Sequence, residues 1–154
     1  MDSSREQTIH ALEMMPLLQE RLAAGQRVRG LRFSGVSMRP MLREGKDTVE
    51  LTAAPEMLKL YDLPVYLGAG GKYVMHRVVR LEADHYLCLG DNTYNFERVE
   101  KAQVVALVSA FTRGNRRISV DCPGYRLYVR IWVAVIPLRR FVKRVQFWLR
   151  RRLK

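Results

Sequence analysis

Residues 62–81 read DLPVYLGAGGKYVMHRVVRL: two apolar, β-branched or aromatic runs, Asp62 to Leu67 and Lys72 to Leu81, around Gly68-Ala69-Gly70-Gly71. Runs of this length and composition on either side of a glycine cluster predict two antiparallel strands and a hairpin loop. The same punctuation recurs in both directions. Upstream, Val28, Leu31 and Phe33 form a β-prone run, and Asp47 to Leu51 gives a second short strand. Downstream, Asp84-His85 turns the chain into Tyr86 to Leu89. Gln103 to Phe111 is apolar and β-prone, Arg113-Gly114-Asn115 is a turn, and Ile118 to Val120 closes the series. The expected fold is therefore mainly β within an α+β class, with a β-rich core over residues 28–121 and helices at both ends.

The N-terminal helix is expected over residues 5–25, from Ile9, Leu12, Met15 or Pro16, Leu18 or Leu17, and Leu22 at roughly helical spacing, with a break near Pro16 and a stop at Gly25. At the other end, residues 125–154 read as a basic amphipathic helix. Beyond Pro137, Leu138, Phe141, Val142, Val145, Trp148 and Leu149 fall on one face, with Arg139, Arg140, Lys143 and Arg144 largely opposite. The chain has 154 residues, 48% of them hydrophobic, which suits a single domain. Its formal charge of +12 is uneven: Cys122 to Lys154 holds ten basic and no acidic residues, leaving 17 basic against 15 acidic elsewhere.

That tail has three readings. Its apolar face could pack on the protein's own sheet, its charge could condense on nucleic acid, or it could lie in the interface of an anionic membrane. The tryptophans and the density of cations favour the membrane, with Trp132, Phe141, Trp148, Arg139, Arg140, Lys143 and Arg144 as contacts and no nucleic-acid partner expected. No signal peptide and no run of about 18–20 uncharged apolar residues is visible, so the expected location is the cytoplasm or the cytoplasmic membrane face. Cys88 and Cys122 have no metal-site spacing and read as free thiols.

The chemistry centres on Ser34-Gly35-Val36-Ser37-Met38-Arg39-Pro40-Met41-Leu42, where a serine follows a glycine at the end of a β-prone run. A serine hydroxyl needs a base to act as a nucleophile near neutral pH. Of three histidines, His10 lies on the N-terminal helix and His85 in a turn, where neither needs chemistry to explain it. His76 breaks the hydrophobic run Tyr73 to Val79 and is either a structural histidine or a base. Gly90-Asp91-Asn92 ends an apolar strand. Asp91 either caps the local turn or accepts the imidazole N–H of His76.

Ser37-Met38-Arg39-Pro40-Met41-Leu42, His76-Arg77-Val78-Val79 and Gly90-Asp91-Asn92, in that order, resemble the signal peptidase and repressor-cleavage (S24/S26) superfamily of serine peptidases over about residues 29–110. Asp62 matches a recurrent strand-leading aspartate of that superfamily. A histidine at position 76, where bacterial-type signal peptidases carry lysine, is similar to the endoplasmic-reticulum and archaeal type. The resemblance implies coiled antiparallel sheets and a serine endopeptidase acting on a precursor peptide or protein without a cofactor or metal. It makes Ser37 the nucleophile, His76 the general base and Asp91 its orienting partner, with Gly35, Val36, Met38 and Pro40 around the oxyanion and substrate. Two departures stand out: Gly35 replaces a serine that often helps form the oxyanion hole, and a polar helix replaces the usual N-terminal membrane anchor. A catalytically silent peptide-binding member of the same fold is the competing expectation.

Overall fold

The computed structural model describes residues 14–152, so His10 and residues 5–13 of the expected N-terminal helix lie outside it. Among the described residues, nine strands, two longer C-terminal helices and a helix α1 over residues 14–23 make an α+β protein with antiparallel sheets. The strands are β1 Val28–Leu31, β2 Thr48–Thr52, β3 Pro64–Leu67, β4 Tyr73–Met75, β5 Arg77–Leu81, β6 His85–Leu89, β7 Glu97–Glu100, β8 Val104–Arg113 and β9 Arg116–Ser119. They divide into a larger sheet ordered β1-β2-β8-β3-β4, with β9 also paired to β8, and a smaller sheet ordered β5-β6-β7. β3 and β4 form the hairpin that residues 62–81 predict, with Val65 opposite Met75 and Leu67 opposite Tyr73.

The alternation of apolar residues explains the core. Val49 and Leu51 of β2, Val65 of β3 and Ala106 and Val108 of β8 are buried on the larger sheet with Met15, Leu18 and Leu22 of α1. A second cluster joins Tyr66, Val78, Tyr86, Cys88 and Val99 beneath the smaller sheet. Each fully buried Val or Leu stabilises the fold by about 1.5–3 kcal/mol. Register shifts between Val28 and Leu31, Glu50 and Leu51, Val65 and Tyr66, and Val78 and Arg80 place irregularities in four strand pairs. Such bulges bend and twist a sheet.

Three sequence expectations need correction here. Residues 14–23 run as helix straight through Pro16. The carbonyl that a non-proline at 16 would bond belongs to residue 12, outside the described residues. The described part of the segment expected as one helix over 125–154 is two helices, α2 Pro123–Ala134 and α3 Ile136–Arg152. Val135 closes α2 with a non-helical ψ of 3°; Pro137, which has no N–H to donate to Val133, fits the first turn of a new helix. Finally, the run 72–81 is not one strand. β4 ends at Met75 and β5 begins at Arg77, in different sheets, so His76 is the single residue at the corner between them.

The corner is tied from behind. Tyr61 N–H bonds Val78 O at 2.9 Å, and Val78 N–H bonds Asp62 O at 2.9 Å, joining the segment before β3 to β5 across the two sheets. Tyr61 itself holds a φ of 76°, which a bulky residue adopts only when its surroundings impose it. Both cysteines are free thiols, Cys88 buried and Cys122 half-buried.

Candidate functional site

Ser37 sits in a tight turn held by its neighbours. Gly35 takes a φ of 106°, in the region open to glycine, and its N–H donates to Glu44 Oε1 at 2.6 Å. Met38, Met41 and Leu42 sink into the main core, and Leu42 N–H closes the turn on Met38 O at 3.0 Å. The turn is thus pinned by apolar anchors while Ser37 stays half-buried at its surface. Among the described residues neither the N–H of Ser37 nor that of Met38 donates to another group, so both remain available to an incoming oxygen.

The segment 90–92 lies directly against this turn. Asn92 N–H bonds Ser37 O at 2.7 Å, and Asn92 Nδ2 bonds Val36 O at 3.3 Å. Gly90 leaves no room for a side chain here. A Cβ there would stand 2.8 Å from Ser37 O and 3.0 Å from His76 Nε2. Ser37 and the imidazole therefore border the same point. They share a cleft of about 290 Å³, lined also by Phe33, Met38, Tyr73, Met75 and Glu97. Among the described residues no hydrogen bond joins the Ser37 hydroxyl to His76.

The other side of the imidazole is occupied. Tyr66 OH lies 3.2 Å from His76 Nδ1 and donates to Glu97 Oε2 at 2.5 Å; Glu97 Oε2 is itself 3.4 Å from Nδ1. A phenol that gives its one proton to a carboxylate can only accept from the ring, which puts the imidazole proton on Nδ1 and the lone pair on Nε2, toward Gly90 and Ser37. Burial pushes the His76 pKa below its ordinary value, with Glu97 opposing, so the ring is neutral at pH 7. Burial and then Glu97 raise the Tyr66 pKa, which keeps its proton in place.

Asp91 does not have the expected position beside His76. Its two carboxylate oxygens take Nε and a terminal nitrogen of Arg77, each at 2.8 Å, with both side chains almost wholly buried. Neighbouring residues of extended chain point to opposite sides, so a carboxylate that meets Arg77 is turned away from the imidazole before it. Arg77 also donates to Tyr125 OH at 2.9 Å and to Tyr61 O at 3.4 Å. Burial alone would push the guanidinium toward neutrality; Asp91 and Tyr125 outweigh it.

Other site expectations divide similarly. Gly35 and Met38 line the cleft, but the Gly35 amide is spent on Glu44 and cannot serve an oxyanion. Val36 and Pro40 are exposed and outside the cleft lining. Trp132, Arg139 and Arg140 face the body, where they hold residues 91–96, and exposed Lys143 reaches over the Tyr94 ring. Trp132 Nε1 and Arg139 both donate to Asp91 O, at 3.1 and 2.6 Å, and Arg140 bonds Tyr94 O. Arg139 stacks 4.1 Å from the Trp132 ring centre, Arg140 4.3 Å from that of Phe96 and Lys143 4.4 Å from that of Tyr94. Phe141, Arg144 and Trp148 are exposed.

Tyr66 and Glu97 were not singled out by the sequence. Tyr66 hides in an apolar run, and Glu97 belongs to a charged strand, Glu-Arg-Val-Glu, with only Val99 to mark it. The available signal was an acidic residue six positions beyond Asp91 in a short strand. Asp62 accepts the Lys59 N–H at 2.8 Å, and burial raises its pKa. His85 pairs with Asp84 at 2.6 Å in its turn. Comparison with protein-family models, curated proteins and solved structures found no match.

Proposed function

We propose that the chain is a serine endopeptidase of the signal-peptidase-like type, acting on a precursor peptide or protein. One observation carries the reading: His76 offers an unprotonated Nε2 to the cleft wall it shares with Ser37, while Nδ1 is held from behind by Tyr66 and Glu97. Ser37 Oγ attacks the scissile carbonyl as Nε2 takes its proton, and the Ser37 and Met38 N–H groups receive the oxyanion. The imidazolium returns the proton to the leaving amine, an acyl-enzyme remains, and water enters through the same base. Glu97, through Tyr66, stabilises the positive ring between the two transfers. Closing on a substrate brings Oγ and Nε2 into hydrogen-bond contact, as catalytic pairs often do only in the complex.

The substrate binds as an extended strand. Among the described residues β4 pairs only with β3, and its residues Tyr73 and Met75 line the cleft, so its outer edge offers backbone groups beside Ser37. The test compares wild type, Ser37→Ala and His76→Ala against a peptide library by mass spectrometry, with a fluorophosphonate probe for serine reactivity. Cleavage and labelling of Ser37 in wild type, lost in both variants, is the expected result. Neither cleavage nor labelling by wild type would sink it. A second reading, a peptide-binding module of the same fold without cleavage, is favoured by the missing hydrogen bond between Ser37 and His76. It expects peptide binding that Ser37→Ala leaves unchanged.

A further inference from the structure

An ordinary surface helix buries its apolar stripe and shows its charges to water. α3 does the reverse. Arg139 and Arg140 are turned inward onto the aromatic rings and carbonyls of residues 91–96, and Lys143, though exposed, lies over the Tyr94 ring. Leu138, Phe141, Val142, Val145, Trp148 and Leu149 point outward, each between 38 and 65% exposed. Their spacing of three and four residues makes one continuous stripe, about 16 Å long at the rise of an α-helix. A contiguous exposed apolar patch of this kind on a folded protein marks a contact surface.

Charge selects among the possible occupants. The segment Cys122 to Lys154 has ten basic residues and no acidic one. A second copy laid on the stripe would bring two such segments together without a carboxylate in either. A nucleic acid would call for cations lining the contact face, yet Arg139 and Arg140 are committed to the protein's own loop and the outward stripe of α3 is apolar. No described helix is long and apolar enough to cross a bilayer. An apolar stripe with a tryptophan within it, on a segment of high positive charge, matches the interface of an anionic bilayer. We propose that α3 lies flat on such a membrane with this stripe in the headgroup boundary. The docking holds whether or not Ser37 is catalytic. Because Trp132 and Arg139 grip Asp91 O, and Asn92 grips Ser37 O, the docked helix also fixes the cleft close to the lipid surface.

The test is sedimentation of the full chain with vesicles of phosphatidylcholine alone or mixed with phosphatidylglycerol. Phe141→Ser/Val145→Ser changes two exposed side chains without changing net charge, and circular dichroism checks that it stays folded. Wild type is expected to bind the anionic vesicles at least tenfold more tightly than the neutral ones, and the double variant to lose at least tenfold of that affinity. Tryptophan emission should shift to the blue on binding and be quenched by brominated acyl chains. Three results would each overturn the proposal: unchanged binding by the folded double variant; a vesicle-free dimer that the variant dissolves; or displacement from vesicles by equimolar duplex DNA.

Discussion

Replacing Asp91 by alanine separates two roles for that carboxylate by measurement. The Arg77–Asp91 pair is bidentate, with both contacts at 2.8 Å and side-chain exposures of 1 and 2%. Removing one partner of a buried pair leaves the other charge in a low-dielectric site and costs about 3–5 kcal/mol. Domains are typically stable by about 5–15 kcal/mol, so this loss is roughly a third to a half of a middling value. At about 2–4 °C per kcal/mol for a chain near this size, the melting temperature falls by roughly 6–20 °C. Asp91→Asn keeps an acceptor and loses the charge, so its loss is smaller. Arg77→Met/Asp91→Leu removes both charges and recovers part of the stability, less what the lost bond to Tyr125 OH contributes. Thermal unfolding at pH 7, followed by circular dichroism, reads all three. A melting temperature for Asp91→Ala within about 3 °C of wild type, with cleavage abolished, would refute this account and return Asp91 to the base.

Gly90→Ala is expected to lower kcat/KM at least tenfold, since its Cβ would meet the Ser37 carbonyl at 2.8 Å and His76 Nε2 at 3.0 Å; full activity in a peptide-cleavage assay would contradict the geometry. Glu97→Gln removes the charge that opposes the burial-driven lowering of the His76 pKa, so the acidic limb of the kcat/KM profile moves to lower pH. An unmoved limb would mean that Glu97 does not face the base. Glu50, gripped by Arg117 above all, has its pKa lowered from 4.5 to about 2. A depressed carboxylate stabilises fully above its unfolded value and loses that contribution as pH falls through the folded one. Urea midpoints of wild type and Glu50→Gln should therefore differ at pH 7 and converge toward pH 2.

Much of the strand pattern was legible, because alternation and glycine turns act locally. Tyr86 to Leu89, Gln103 to Phe111 and the Gly68–Gly71 hairpin all lie where composition places them. β7 escaped notice because Glu97, Arg98 and Glu100 leave only Val99 buried. The change of sheet at His76 left no mark, since β-branched and apolar residues continue on both sides. Asp91 illustrates a different limit. Spacing brings it to the level of His76 and Arg77 together, but only the pleat decides which of two adjacent side chains meets it. The helical period at 138–149 likewise showed a stripe without its direction. Competition settled that direction, because aromatic rings and carbonyls of residues 91–96 captured the cations. The serine turn was legible as a turn; the Tyr66–Glu97 support was not, because it joins strands 31 residues apart.

The one-residue corner at His76 also makes the two sheets into the jaws of a caliper. His76 belongs to neither sheet, so its ring follows the angle between them rather than the flexing of either alone. Small shear between the sheets becomes displacement of Nε2 against the serine turn. The bonds of Val78 to Tyr61 and Asp62, and the Arg77–Asp91 pair one residue from the ring, then set the gap. Substitutions that relax this angle would move the imidazole relative to the serine turn, so tolerance to mutation should be lower along the seam between the sheets than on either outer face.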